Sequence, residues 1–158
     1  MNGAPLLTSV VAALTAVRLE AILIGNAAAA IQGAPVTTLD FDFMIRATPL
    51  NLRKLKRFAD RLDAVILRPY YPASAMYRVV NEDRGLQVDF MPVVHGVKSL
   101  ASLRSRAEKI ELGGRSLWVA SLADIITSKR VAGRPRDKAV LEILEATLRE
   151  KNQSEQKT

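Results

Sequence analysis

Between Leu39 and Ile45 the chain reads LDFDFMI, and no other stretch restricts its fold so tightly. Apolar and acidic side chains alternate over Leu39-Asp40-Phe41-Asp42-Phe43, the period of a β-strand. Both aspartates therefore fall on one face and the hydrophobes on the other. Carboxylates at i and i+2 on a strand stand side by side and repel each other unless a cation comes between them. The pattern is either a metal-binding pair or a surface strand that carries Asp at alternate positions. Asp89, in the otherwise apolar Leu86-Gln87-Val88-Asp89-Phe90-Met91, is a third carboxylate that can complete an oxygen site from another strand.

The chemistry open to such a site is narrow. Cysteine is absent, which excludes disulfides, thiolate metal sites and Cys nucleophiles. His95 is the single histidine, so a His-based zinc site is excluded and a Ser-His-Asp triad is disfavoured. A metal here must be held by oxygen, which points to Mg²⁺, Mn²⁺ or Ca²⁺. His95 itself lies in the loop Pro92-Val93-Val94-His95-Gly96 and reads as incidental. The formal net charge is +7, and a basic surface attracts polyanions such as nucleotides or nucleic acid without specifying which.

The 158 residues, 49% of them hydrophobic, suit one ordinary domain, expected over 1–150. Lys151 to Thr158 reads as a disordered polar tail. No apolar run reaches the roughly 20 residues that span a bilayer. Leu7, Val10, Val11, Leu14 and Val17 follow helical spacing, so the N-terminal stretch is expected to be a helix of the fold and the protein cytoplasmic.

Further along, Ala21 to Ile24 is a buried strand ending at Gly25, and the alanine-rich Asn26 to Ile31 is a helix stopped by Gly33. Thr48-Pro49 starts a helix that packs Leu52, Leu55, Phe58 and Leu62 on one side. Its other side carries Arg53, Lys54, Lys56, Arg57 and Arg61, either a nucleic-acid contact or a solvated face. Ala64 to Leu67 is a strand, and Ala75 to Val80 with Leu86 to Met91 forms a hairpin. Lys109 to Leu112 and Arg115 to Val119 form a second hairpin around Gly113-Gly114, with Trp118 in the core. Ser121 and Asp124 resemble a capping box opening a helix that closes near Gly133, and Pro135 starts the last helix. Tyr70, Tyr71 and Tyr77 serve either base stacking or packing. The expectation is an α+β domain with a mixed, largely antiparallel sheet flanked by helices.

The segment from Leu23 to Asp42 resembles the signature of the DNA polymerase β-like nucleotidyltransferase superfamily. There a strand ends in Gly-Gly or Gly-Ser, a short helix follows, a second strand delivers Asp-x-Asp, and a third Asp arrives later, where Asp89 stands. Ser121 to Asp137, SLADIITSKRVAGRPRD, is similar to the closing motif of small abortive-infection-type, toxin-like nucleotidyltransferases, with Lys129, Arg134, Arg136 and Asp137 at the matching positions. The second residue of the glycine pair is Asn26 here, and Val36 stands where the family frequently has Arg, while Thr38 is retained.

The resemblance implies a metal-dependent nucleotidyltransferase acting from an NTP on an unknown acceptor, RNA or a protein hydroxyl. Asp40 and Asp42 would hold Mg²⁺ (or Mn²⁺) on the triphosphate, and Asp89 would complete a second metal site and activate the acceptor hydroxyl. Gly25 and Asn26 would approach the phosphates at a helix start, and Lys129 and Arg134 would supply positive charge beside Asp137. It also implies tRNA or another nucleic acid, and an antitoxin or helical partner protein, as partners. The same residues allow a catalytically inactive member that binds nucleotide, nucleic acid or a partner.

Overall fold

A computed structural model of the protein describes residues 4–38 and 40–157; Leu39, the first residue of the expected Asp-x-Asp strand, and Thr158, the last of the expected tail, lie outside the described residues. The chain runs α1 (Ala4–Val17), β1 (Ile22–Ile24), α2 (Gly25–Ile31), β2 (Phe41–Met44), α3 (Pro49–Arg61), β3 (Val65–Leu67) and β4 (Tyr77–Asn81). It continues through β5 (Leu86–Met91), α4 (Leu100–Arg106), β6 (Glu108–Leu112), β7 (Arg115–Val119), α5 (Leu122–Ala132) and α6 (Pro135–Gln156).

The strands form one sheet in the order β3-β4-β5-β2-β1-β7-β6. Among the described residues only β1–β7 and β2–β5 pair in parallel; the other four pairings are antiparallel. This is the mixed, largely antiparallel sheet that the strand patterns predict. On β2, Phe41 and Phe43 are buried, and on β5 Leu86, Val88 and Phe90 are buried. Phe90 stacks on Phe43 with ring centroids 5.6 Å apart and meets the edge of Phe58 at 5.2 Å, which seats α3 on this side. The alternation leaves Asp42 and Asp89, Cα partners in the parallel β2–β5 ladder, together on the opposite face.

Helix α3 starts as its sequence predicts. Thr48 is the N-cap, its Oγ1 accepting from the Asn51 backbone N–H at 3.1 Å, with Pro49 in the first turn. Thr48→Ala should cost about 1 kcal/mol in chemical denaturation. A loss below a few tenths would mean that packing by Leu55 and Phe58 alone defines this end.

Several expectations are corrected. The Asp-x-Asp strand begins at Phe41, and Asp40 lies in a bend before it. The reason is β1: its last residue, Ile24, pairs with Asp42, and at Gly25 the chain turns into α2, which leaves Asp40 nothing to pair with on that side. Helix α4 was not expected. Ser99 caps it by accepting from Ser102 N at 3.0 Å, and Leu100 and Leu103 bury its inner side. Residues 151–156 continue α6 instead of fraying, because Lys151 Nζ donates to Gln32 Oε1 at 3.0 Å and pairs with Glu108 Oε1 at 2.7 Å. Ser121 caps α5, but the Asp124 carboxylate pairs with Arg106 at 2.8 Å instead of closing a box. Trp118 is half-buried, its ring covered by the Arg104 guanidinium at 3.1 Å from the centroid. Among the described residues no helix is long and apolar enough to cross a membrane.

Candidate functional site

The polar face of the sheet opens into one cavity of about 640 Å³. Gly25, Asn26, Thr38, Asp40, Asp42, Asp89, Lys129, Arg134 and Asp137, which sequence singles out, all line it. They arrive from four places: the β1–α2 turn, the start of β2, the middle of β5, and the α5–α6 junction.

Gly25 makes the first of these possible. Its φ of +69° is one that side-chain-bearing residues rarely adopt, and a Cβ there would stand 3.0 Å from Asp42 Oδ2. The turn thus brings the start of α2 against the second acid of the pair. Next along, the Oδ1 of Asn26 is buried with no hydrogen-bond partner. Thr38 holds the approach to the acids: its Oγ1 donates to the Asp40 carbonyl at 2.7 Å and accepts from the Asp40 N–H at 3.3 Å.

The acids perturb one another. Burial, then the charges of Asp89 and Asp40, push the Asp42 carboxyl up to about 6 against the weaker opposing pull of Lys129 and Arg78. Asp40 is raised as well, by burial and then by Asp89. Asp89 is buried, and a residue that the sequence reading missed accounts for its tolerance of that burial. Arg78 faces it in the β4–β5 ladder, with Nε donating to Oδ1 at 2.9 Å and Nη2 to Oδ2 at 3.2 Å. Gln87 Nε2 adds a third donor to Oδ2 at 3.4 Å. The signal for Arg78 was present: a four-residue loop, 82–85, joins Asn81 to Leu86, and counting back from that closing pair sets Arg78 opposite Asp89.

Cations line the same cavity. Lys129, half-buried on α5, has its pKa lowered by burial, partly offset by Asp137, whose Oδ1 lies 3.7 Å from its Nζ. Arg134 Nε donates to Asp137 Oδ2 at 2.6 Å, and its Nη2 to Oδ1 at 3.3 Å. Burial works to raise the Asp137 carboxyl, but the Arg134 hydrogen bond and charge, with Lys129, outweigh it and hold the pKa below the ordinary value. Arg136 is exposed and also lines the cavity. His95 and Tyr70, both exposed, lie on the cavity too.

The basic face of α3 is elsewhere. Arg53, Lys56, Arg57 and Arg61 are exposed and none lines the cavity, while Lys54 is half-buried and donates to the Arg18 carbonyl at 2.8 Å. Tyr71 and Tyr77 both pack against the Arg68 guanidinium, 4.5 and 4.3 Å from their centroids. Among the described residues no three His, Asp or Glu side chains are grouped to hold a metal ion.

The sequence matches no protein-family model and no curated protein. The structure is similar to that of ANT(2'')-Ia in complex with adenylyl-2''-tobramycin, with a TM-score of 0.66 and 15% identity over 94% of this chain and 90% of that one. A candidate nucleotidyltransferase from Thermotoga maritima is similar at a TM-score of 0.63 and 17% identity, covering 87% of this chain and 89% of that one. The lincosamide antibiotic adenylyltransferase LnuA, bound to lincomycin, follows at 0.60 and 11%, covering 85% of this chain and 90% of that one. These structural neighbours are nucleotidyltransferases, and the likeness gives this chain their fold.

Proposed function

We propose that this chain, built on the nucleotidyltransferase fold, transfers a nucleotidyl group from a nucleoside triphosphate to an acceptor hydroxyl. The observation that carries the reading is the meeting of opposite charges in one cavity. Asp40 and Asp42 line it together with Lys129 and Arg136, and Lys129 is near enough to pull on the Asp42 carboxyl. A triphosphate with its divalent cation needs both signs in one site.

The residues fit such a cation. Asp40 and Asp42 are both raised by burial and by neighbouring carboxylate charge, a repulsion that a cation at their oxygens relieves. Asp40 and Asp42 would hold a divalent ion there, and it would supply charge neutralisation and polarisation to the triphosphate. Lys129 and Arg136 receive the β- and γ-phosphates and steady the departing pyrophosphate. Asp137 orients this cationic lining, since it engages Arg134 and Lys129 together.

Asp89 serves the acceptor. A carboxylate offers about four lone-pair sites, and Arg78 and Gln87 engage three of them. The remaining site accepts the hydroxyl proton of an acceptor entering past Tyr70 and His95. As the acceptor oxygen bonds to the α-phosphorus, the bond to the β-phosphate bridging oxygen breaks and pyrophosphate leaves.

The test is transfer of label from each α-labelled NTP, with Mg²⁺, to an aminoglycoside, a lincosamide or total RNA including tRNA. The expected result is label on one of these acceptors, lost on chelation and in Asp40→Asn. Nucleotide binding without transfer to any acceptor would replace this reading with a catalytically inactive member of the fold. Transfer to tRNA would favour the toxin-like function and justify a search for an antitoxin partner.

A further inference from the structure

We propose that the cation at this site is held by Asp40, Asp42 and the side-chain oxygen of Asn26, and that Asp89 is kept out of its coordination by Arg78. This rests on the function proposed above and names which residues of that site do the holding.

Two independent observations carry it. The first is Asn26 Oδ1, a buried acceptor with no partner, on a residue lining the cavity one position after Gly25. A buried carbonyl oxygen left unpaired is costly, and an oxygen-seeking cation satisfies it. Gly25 is the residue whose missing Cβ lets Asp42 Oδ2 come close, and Asn26 follows it directly in the chain and lines the same cavity. The second is the occupancy of Asp89. Both of its oxygens accept from Arg78, and Oδ2 accepts from Gln87 as well. A cation approaching Asp89 meets a carboxylate that a guanidinium has already neutralised, whereas Asp40 and Asp42 carry no comparable bidentate partner among the described residues.

The chemistry of the ligand set is consistent. Two carboxylates and an amide oxygen make a hard oxygen site of the kind Mg²⁺ and Mn²⁺ take, with water and phosphate oxygens filling the other positions. The amide nitrogen of Asn26 would remain as a donor for a phosphate oxygen.

Binding of Mn²⁺ alone to the full chain, read as loss of the free-ion signal in electron paramagnetic resonance, tests this without reference to catalysis. Asn26→Leu should weaken Mn²⁺ at least about tenfold, and Asp89→Asn should change it by less than about threefold. Asn26→Asp should bind at least as tightly as the wild type, because it keeps the oxygen and adds charge; this arm stands even where the Leu variant folds poorly. Asp42→Asn should abolish the site. A large loss in Asp89→Asn, indifference to Asn26→Leu, or weakened binding in Asn26→Asp would each overturn the proposal. The two readings fail separately. Nucleotide transfer with Mn²⁺ affinity indifferent to Asn26 would overturn this inference alone. Asn26-dependent Mn²⁺ binding without transfer to any acceptor would overturn only the proposed activity.

Discussion

Asp42→Asn should give a protein that is more stable and inactive. Burial and the charges of Asp89 and Asp40 raise this carboxyl from 3.8 to about 6, so the folded chain holds its proton more tightly than the unfolded chain does. Between those two values the folded state binds more protons, and its stability falls as pH rises through the window. Above about pH 6 the penalty is complete, on the order of 3 kcal/mol from 1.36 kcal/mol per unit. Removing the charge recovers it at neutral pH, a rise in Tm of roughly 5–10 °C for a chain of this size. Below the unfolded value the advantage disappears, because both states are then protonated. Transfer should fall by about a thousandfold or more, the loss expected when a cation loses its ligand. Melting curves without divalent ions at pH 3.5 and pH 8 check the first part. A variant less stable than the wild type at pH 8 would mean that Asp42 is not under the repulsion described.

Gly25→Ala should be costly in a different way. An alanine at φ +69° costs about 1–2 kcal/mol from backbone strain alone. Its Cβ would also stand 3.0 Å from Asp42 Oδ2, so the carboxylate must give by a few tenths of an ångström. A full ångström of displacement at a reacting centre is worth on the order of a hundredfold in rate, so this smaller shift should cost roughly threefold to tenfold. Gly85, in the β4–β5 turn, separates the two effects. Its φ is +64°, with nothing within 4 Å of the added Cβ, so Gly85→Ala should show the stability loss and normal transfer. Equal transfer rates in the two variants would show that the Gly25 approach to Asp42 does not matter to the chemistry.

The most legible parts of the molecule were those where a short pattern has one physical solution. Alternation in DFDF separates a buried face from an acidic one, and Thr48-Pro49 can only begin a helix where it stands. Gly85 and Gly113-Gly114 mark the turns of two hairpins that form with nearly the expected limits. Helix α4 was hidden because seven residues with two buried leucines give too little periodicity to stand out. The far end of α6 was misread because its composition is that of a tail; what orders it is a pair of contacts from Lys151 to residues 119 and 43 positions away. At the site, the residue types were readable and their partnerships were not. Arg78 reaches Asp89 across a hairpin, and the burial that leaves the Asn26 oxygen without a partner arises only in the folded chain.

That last helix joins the cationic and acidic linings of the cavity mechanically. The first turn of α6 carries Arg136 and Asp137, and its fifth bonds through Lys151 to Gln32, the residue that ends α2. The same Gln32 donates to the Ala120 carbonyl at 2.8 Å, just before α5 begins. The start of α2 is Gly25 and Asn26, where Gly25 meets Asp42. A brace thus runs from the phosphate-facing cations along α6, across one lysine, and back along α2 to the acids. The width of the cavity is set at a point remote from it, so clipping the chain before Lys151 should let the two linings drift apart while every residue in them is still present.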